Sequence, residues 1–552
     1  MIRAGTLIAV VCALALPASA GAGLESTQRP IHSSAPDANR VREYLVRVHD
    51  PLPADVGPHP RACDRLQYLR FRDAGGPPDA RDADAVISLM PGFLGGSSNF
   101  DQVARNTIRD AAKRGKHLEV WAIDRRSNCL EDNTGVRAAQ RAKDATVAWQ
   151  YYWGGREVGG RRFSGFVSPS DAAFLSSFGL ERTMRDWYDV NRAGMPSRRM
   201  RAKKMICGGH SLGGPLTAAY AGWDFDGNPN TTRDAGFRQC AAFVGFDTTL
   251  AIGGGSAAGS GLLGFAGGSG GSPYINLPPL TPETFEVPSV FGVADFLAPN
   301  GTDALGELPH TSNIDLAQRL LFSRDAAHFA TGEPNIRDFH LTNDATLAGV
   351  FDDNSAPLFF LRSSVGFLAG GPVVEKDFPT PDPSLALPGE PATPLYDWVN
   401  YNRVRDAEVP VNSSGAPFTS RESEVSDLRQ LARTMFEAPA NFIEQYFPTR
   451  ILTDVAAASS GDRGGSLANI RYDGIPRRPA LVITAGDSGS NSAPDNGPPQ
   501  VQAPPNDNPL SRHISIPGYN HLDVVTAARR QNDGEPEPSS TALTRFVLSV
   551  TR

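Results

Sequence analysis

The pentapeptide GHSLG at residues 209–213 could place a nucleophilic serine on a sharp turn. It follows an apolar run at 205–207 and precedes a helical stretch at 216–221. Strand, tight turn and helix together form the setting that a nucleophile elbow needs. Because such a turn crowds the positions beside the serine, glycines flank it and its hydroxyl is exposed at the carboxyl edge of a sheet. The spacing therefore predicts Ser211 as a nucleophile.

A serine nucleophile needs a base, and His521 follows the alternating run at 513–516 in the segment PGYNHLD. None of the other nine histidines has that setting. In this role His521 would accept the proton of the Ser211 hydroxyl. His210 occupies the variable position of the elbow, from which its ring cannot fold back in line with the hydroxyl, and we interpret it as a spacer.

The third group is an acid, and two aspartates follow apolar runs typical of parallel strands buried on both faces. Asp487 comes after the run at 480–485 and is the first choice. Asp247 ends the earlier run at 241–246 and is the alternative acid, with Asp495 as a third option. For each of them the order along the chain is serine, acid, histidine.

That order, on the ends of successive strands, resembles the α/β-hydrolase superfamily. The resemblance implies a Ser-His-Asp triad of Ser211, His521 and Asp487. It also implies an oxyanion hole formed by the backbone N–H groups of Leu212 and Phe93, with Leu94 as another donor.

Two positions depart from the common pattern of that superfamily. Pro91-Gly92 stands where many relatives have His-Gly, after the predicted strand at 85–90. Gly489 stands where the acid is more often found, three residues after the glycine that closes the strand.

The resemblance implies an α/β fold with a mostly parallel, doubly wound sheet. Alternating runs at 44–48 and 66–71 predict half-exposed antiparallel strands at its start. The interval between the late strands is too long for one crossover and predicts a large, mainly helical cap. The predicted segments are a signal peptide at 1–20, the first part of the core at 21–250, the cap at 251–476 and the last part of the core at 477–552.

Helical stripes in the cap need an apolar surface to cover. Most of these residues are expected to pack on the cap's own core, and a few to line an apolar cleft above Ser211. The stripes are Ile314, Ala317, Leu320 and Leu321, and then Val425, Leu428, Leu431, Ala432, Met435 and Phe436, with Phe359, Phe360 and Phe367 as further candidates.

Composition excludes several classes of protein. The chain has 552 residues, 40% of them hydrophobic, and a net charge of −7, which argues against a disordered chain and against a nucleic-acid partner. Arg3, the apolar stretch at 7–16 and the motif at 18–20 predict an export signal cleaved after Ala20. No other segment is apolar and long enough for a transmembrane helix. We therefore expect a secreted or periplasmic protein.

Four cysteines remain after cleavage, an even number in an oxidising compartment. Cys63 and Cys129 could pair, whereas for Cys207 and Cys240 buried free thiols are at least as well supported as a bridge. None has metal-ligand spacing, and the acidic loop at 224–228 is better explained by an Asp-Gly turn than by calcium. No cofactor and no metal are expected.

These features predict a secreted serine hydrolase that cleaves carboxylic esters with an apolar acyl or alcohol part. The same triad would also serve a peptidase, an amidase or an acyltransferase, and a non-catalytic binding protein on a hydrolase scaffold is a further alternative. The expected partner is a small-molecule ester substrate, and the sequence leaves the oligomeric state open.

Overall fold

The computed structural model describes residues 24–252, 264–379, 381–391, 394–437, 439, 441–487 and 499–551. The predicted signal peptide at 1–20 and the aspartate at position 495 lie outside the described residues, as does Gly489.

A ten-stranded sheet forms the centre of the molecule, in the order β1-β2-β3-β5-β4-β6-β7-β13-β15-β14. The strands from β5 to β15 in that order pair in parallel, while β1, β2, β3 and β14 pair antiparallel to their neighbours. The strands of this sheet are β1 Ser26–Ile31, β2 Val41–His49, β3 Arg65–Asp73, β4 Ala85–Met90, β5 Leu118–Ile123, β6 Met205–His210, β7 Ala242–Phe246, β13 Ala480–Ala485, β14 Gln500–Gln502 and β15 Arg512–Ile516. The predicted α/β class and mostly parallel sheet are confirmed.

Helices cover both faces of this sheet. Successive residues of β4 belong to different apolar clusters, with Val86 and Met90 in one and Ile87 and Leu89 in the other. Because side chains alternate between the two faces of a strand, these clusters lie on opposite sides of the sheet. The helices of the core are α1 Asp101–Ala112, α2 Thr134–Ala142, α3 Thr146–Tyr152, α4 Leu180–Gly194, α5 Arg198–Lys204, α6 Gly213–Gly222, α14 Asp523–Thr526 and α15 Pro538–Val550.

The long segment between β7 and β13 forms the cap. Its helices are α7 Pro282–Leu297, α8 Asp303–Gly306, α9 Ser312–Phe322, α10 Ala326–Thr331, α11 Asn343–Phe351, α12 Leu428–Glu437 and α13 Thr449–Ser459. It also carries two small sheets, which the sequence did not predict. Their strands are β8 His340–Leu341, β9 Gly366–Ala369, β10 Val373–Lys376, β11 Asp382–Pro388 and β12 Leu395–Asn400.

Two disulfides link cysteines of the core. Cys63 is bonded to Cys129, a pairing that the sequence left open, and Cys207 of β6 is bonded to Cys240, just before β7. The second bridge differs from the free thiols that we considered at least as well supported. Cys207 lies on β6 and Cys240 just before the neighbouring parallel strand β7, which brings their Cα atoms to 5.9 Å, within the range that a disulfide spans. Within the described ranges, no helix combines the length and apolar character that crossing a bilayer requires.

Candidate active site

Ser211 lies on a tight turn between β6 and α6. Its backbone has a φ of 54°, a left-handed value that residues with side chains rarely adopt, and its N–H donates to the carbonyl of Phe246 at 2.9 Å. A Cβ at Gly209 or at Gly213 would come within 2.6 Å or 2.3 Å of the Met90 carbonyl oxygen. The flanking glycines are therefore needed for close packing of the turn on β4, as the sequence predicts.

Gly92 lies against the nucleophile from the opposite side. A Cβ built on Gly92 would stand 2.7 Å from Cβ of Ser211 and 3.3 Å from its Oγ. Gly92 belongs to the loop after β4, residues 91–96, which we call the oxyanion loop. The missing side chain lets the backbone of this loop approach the Ser211 hydroxyl.

The side chain of Arg125 binds the backbone of the oxyanion loop. Its guanidinium donates to the carbonyl oxygens of Pro91, of Gly92 at 2.7 Å and of Gly95 at 3.2 Å. Glu444 from the cap accepts from the same guanidinium at 2.5 Å, in a buried ion pair. Burial raises the pKa of Glu444, while the positive charge of Arg125 opposes that rise. The fork of Arg125 thus turns the loop's carbonyl groups towards itself.

The two predicted oxyanion donors are available for a ligand. Among the residues that the structure describes, neither the backbone N–H of Leu212 nor that of Phe93 donates to another protein group. Phe93 borders the same cleft as Ser211, and Leu212 follows Ser211 directly. Leu94, the further donor that we considered, has a φ of 56°, and its carbonyl accepts the N–H of Glu444. Two N–H groups without acceptors beside a serine can stabilise a negative oxygen.

His521 lies in the loop after β15, and a carboxylate from another strand holds its ring. Nδ1 of His521 is 2.5 Å from Oδ2 of Asp247, which follows β7. The other carboxylate oxygen of Asp247 accepts the backbone N–H of Ala485 at 3.0 Å. A carboxylate on Nδ1 is the contact that orients the histidine of a Ser-His-Asp triad.

This pairing favours the alternative acid over our first choice, Asp487, because the carboxylate hydrogen-bonded to His521 is that of Asp247. Both aspartates follow neighbouring parallel strands, so both lie at the same edge of the sheet. The backbone N–H of Asp487 donates to the carbonyl of Tyr519 at 3.1 Å. Asp247 has a φ of 42°, and such backbone strain in a residue with a side chain is typical of functional sites.

His210 does more than separate Gly209 from Ser211. Its buried ring lies 4.5 Å from the ring of His521, centroid to centroid, and its Nε2 is 2.9 Å from the backbone carbonyl oxygen of His521. Burial and the neighbouring His521 ring lower the pKa of His210 to about 3. His210 is thus a neutral support for the position of His521, a role that its place in the motif did not suggest.

The loop that carries His521 is tied to the cap through Asp523. This buried carboxylate accepts hydrogen bonds from the hydroxyls of Ser363 at 2.9 Å, Ser364 at 2.8 Å and Ser426 at 2.7 Å, and from the backbone N–H of Asn520. Burial raises the pKa of Asp523, whereas the hydrogen bonds from Asn520, Ser426 and Ser364 oppose that rise. This role was not predictable from the sequence, because the three serine partners lie 97 to 160 residues away along the chain.

Ser211 and His521 both line a cleft of about 340 Å³, which we call the Ser211 cleft. Its walls include residues of the oxyanion loop, His210 and cap residues. Of the predicted aromatic residues, Phe360 lines the cleft and the Phe359 ring lies 5.9 Å from that of His521. Phe367 does not belong there, because it is buried in a small separate cluster with Val404 and Val409.

A group of buried carboxyl groups lies behind the histidine loop, within the cap. Asp352, Asp353 and Glu424 offer oxygen atoms within 4.8 Å of one another. Burial raises the pKa of Asp353 to about 7 and those of Asp352 and Glu424 well above their ordinary range. Besides burial, the charges of neighbouring carboxyl groups raise these pKa values, as expected where several acids lie close together. The side chain of Asp353 also accepts a hydrogen bond from Asn520, next to His521.

No protein-family model matches the chain, and no curated protein matches it either. Among solved structures, the chain is similar to a lipase in its open form, with 10% sequence identity, a TM-score of 0.27, and 96% of this chain and 100% of that chain covered. It is also similar to a peroxisomal α/β-hydrolase from Saccharomyces cerevisiae, with 10% identity, a TM-score of 0.31, and 93% and 90% covered. A third is the juvenile hormone epoxide hydrolase of the silkworm Bombyx mori, with 10% identity, a TM-score of 0.30, and 95% and 78% covered.

Proposed function

We propose that this chain, whose sheet order and elbow give it the α/β-hydrolase fold, is a secreted serine hydrolase that cleaves carboxylic esters through an acyl-enzyme. The observation that carries the proposal is the convergence on one cleft of Ser211, on a strained turn, and His521, held by Asp247. These three residues are far apart along the chain, and a merely structural histidine would not need a strained aspartate as its partner.

In the proposed reaction, Oγ of Ser211 attacks the ester carbonyl while Nε2 of His521 takes the hydroxyl proton. Asp247 keeps the ring in the required tautomer and stabilises the imidazolium that forms. The N–H groups of Leu212 and Phe93 stabilise the oxyanion. His521 then protonates the leaving alcohol, and a water molecule, deprotonated by His521, releases the acyl group from Ser211.

An apolar substrate is supported by the space beside the Ser211 cleft. A second cavity of about 530 Å³, which we call the middle chamber, shares four wall residues with it, namely Leu94, Phe360, Leu361 and Ile443. Its remaining lining is almost entirely apolar and includes Ala317, Leu320 and Leu321 from the predicted helical stripe. An apolar lining of this kind suits the hydrocarbon part of an ester.

Secretion is supported by the predicted signal peptide and by the two disulfides, because disulfides persist in oxidising compartments.

Hydrolysis of p-nitrophenyl esters by the purified mature protein, followed from mixing into the steady state, tests the proposal. We expect turnover by the wild type, with a burst of p-nitrophenol equal to the enzyme concentration, and no burst from Ser211→Ala. Aminoacyl p-nitroanilides distinguish a peptidase or amidase, and added alcohols that divert the acyl group from water distinguish an acyltransferase. Turnover of anilides but not of esters, or equal turnover by Ser211→Ala, would refute the proposal.

A further inference from the structure

A third cavity lies beyond the middle chamber, inside the cap. This distal chamber has a volume of about 520 Å³ and shares five wall residues with the middle chamber, namely Thr284, Pro288, Ala317, Leu321 and Val350. The Ser211 cleft, the middle chamber and the distal chamber therefore form a series in which each neighbouring pair has common walls. To reach the distal chamber from Ser211, a long hydrocarbon chain would have to pass these shared wall residues.

The lining of the distal chamber is apolar except for three side chains, and two of these are already satisfied. The Thr284 hydroxyl donates to the backbone carbonyl of Thr281 at 2.9 Å. The Thr346 hydroxyl donates to that of Thr342 at 2.9 Å. Neither threonine therefore has its hydroxyl proton free for a ligand.

Gln318 is the third polar side chain, and it differs from the other two. It lies on α9, is 6% exposed, and lines the distal chamber. Both its Oε1 and its Nε2 are without a hydrogen-bond partner in the part of the chain that the structure describes. A buried amide without partners costs free energy, so a glutamine at an otherwise apolar wall needs an explanation.

Resting on the proposed ester hydrolysis, we propose that the distal chamber binds the far part of a long hydrocarbon chain bearing an oxygen group, and that Gln318 hydrogen-bonds to that group. A hydroxyl would donate to Oε1 or accept from Nε2, and a carbonyl would accept from Nε2. The distal chamber would then discriminate between plain and oxygenated chains, because a plain chain leaves the amide unpaired. The substrate class is accordingly an ester of a hydroxylated or oxo-substituted long chain.

The chain could belong to the acyl or to the alcohol part, and a kinetic comparison separates the two. One arm uses p-nitrophenyl esters of hexadecanoate, 16-hydroxyhexadecanoate and 12-hydroxyoctadecanoate. The other arm uses the acetates of hexadecanol and of hexadecane-1,16-diol. In the arm whose long chain occupies the distal chamber, we expect kcat/KM to be roughly threefold to tenfold higher for a hydroxylated chain than for the plain one. This is the range that one hydrogen bond supplies.

The variant Gln318→Leu should reverse this preference, because leucine has a similar size and leaves no unpaired amide. The gain from the chain hydroxyl should disappear, and hydrolysis of the plain hexadecanoate ester should improve. Gln150→Leu, at an exposed glutamine that borders none of the three cavities, is the matched control and should keep the wild-type preference. Equal kcat/KM for plain and hydroxylated chains in both arms, unchanged in Gln318→Leu, would overturn the proposal.

Binding to Ser211→Ala, measured by isothermal titration with hexadecanoic, 16-hydroxyhexadecanoic and 12-hydroxyoctadecanoic acids and with the corresponding alcohols, needs no turnover. One outcome is that the wild type hydrolyses no ester, while Ser211→Ala binds a hydroxylated chain more tightly than the plain one and loses this gain when Gln318→Leu is added. In that case the distal site stands and the proposed function fails. If esters are hydrolysed without any such discrimination in kinetics or binding, the distal site fails and the proposed function stands.

Discussion

Oδ2 of Asp247 lies 2.5 Å from Nδ1 of His521, although 274 residues separate the two along the chain. Asp247 comes before the cap and His521 after it. Because β7, β13 and β15 run parallel, the carboxyl ends of β7 and β15 lie at the same edge of the sheet. This pair determines which ring nitrogen can act as a base.

The variant Asp247→Asn should lose catalysis while it stays folded. An amide at this position favours the wrong tautomer of His521, for which a fall in kcat of about 10⁴-fold is expected. Asp487→Asn is the matched control, because it makes the same change at the end of the neighbouring strand. Its kcat should fall less than tenfold. Ester hydrolysis with circular dichroism on both variants checks this. A larger loss from Asp487→Asn would restore our first choice of acid.

The choice between the two aspartates could not be made from the sequence. The apolar runs predicted β7 and β13 correctly, together with the turn at Ser211 and the loop of His521. However, β7 and β13 are adjacent and parallel, so an aspartate after either strand lies at the same edge. Which carboxylate points to the ring depends on the left-handed turn at Asp247, and the residue type does not encode that turn.

The cap was the least predictable part of the chain. The stripe of Ala317, Leu320 and Leu321 was recognisable from its helical spacing, and it does line a cavity next to the Ser211 cleft. Its small sheets were not predicted, because their strands are short and pair with segments distant in sequence. The burial of Gln318 was equally hidden, since a single glutamine in an amphipathic helix normally faces solvent.

Gly92→Ala should damage the site without affecting the rest of the fold. The added Cβ would overlap Cβ of Ser211, so the nucleophile or the oxyanion loop must shift. A shift of about 1 Å is expected to lower kcat roughly 10²-fold. Gly306→Ala is the control, because a Cβ at Gly306 in the cap would contact nothing within 4 Å. Wild-type kcat in Gly92→Ala would mean that the loop does not hold Ser211 as described.

Arg125→Lys should reduce kcat more than it changes KM. A lysine ammonium lacks the planar fork that binds several carbonyl groups of the oxyanion loop at once. Loosening that loop is expected to cost about 10²-fold in kcat, similar to the loss of one oxyanion donor.

Arg126→Lys is the matched control for Arg125→Lys. Arg126 is also buried and forms an ion pair, but its partners are Asp50 and Asp186, away from the oxyanion loop. It should lower the melting temperature while the folded protein keeps its kcat. Equal kcat losses in both variants would indicate a general effect of buried arginines.

Glu286 should make the protein less stable as the pH rises. Burial in α7 raises the pKa of Glu286 from 4.5 to about 8. Between these values the unfolded chain releases the proton while the folded chain keeps it, so raising the pH favours unfolding by at most about 1.4 kcal/mol per pH unit from this group.

Urea unfolding at pH 5, 6, 7 and 8 measures this effect as the difference between wild type and Glu286→Gln. The variant cannot lose that proton, so its stability relative to wild type should increase from pH 5 to pH 8. Glu307→Gln, at an exposed position, should show no such trend. A constant difference for Glu286→Gln across this range would contradict the assigned pKa.

The most direct test of the proposed chemistry is covalent labelling with a fluorophosphonate probe, followed by mass spectrometry of the modified peptide. The probe reacts with a serine only when a base and an oxyanion site activate it. The triad predicts one equivalent of label, located on Ser211, in the wild type and none in Ser211→Ala. Label on another residue, equal labelling of both proteins, or no labelling of folded wild type would contradict it.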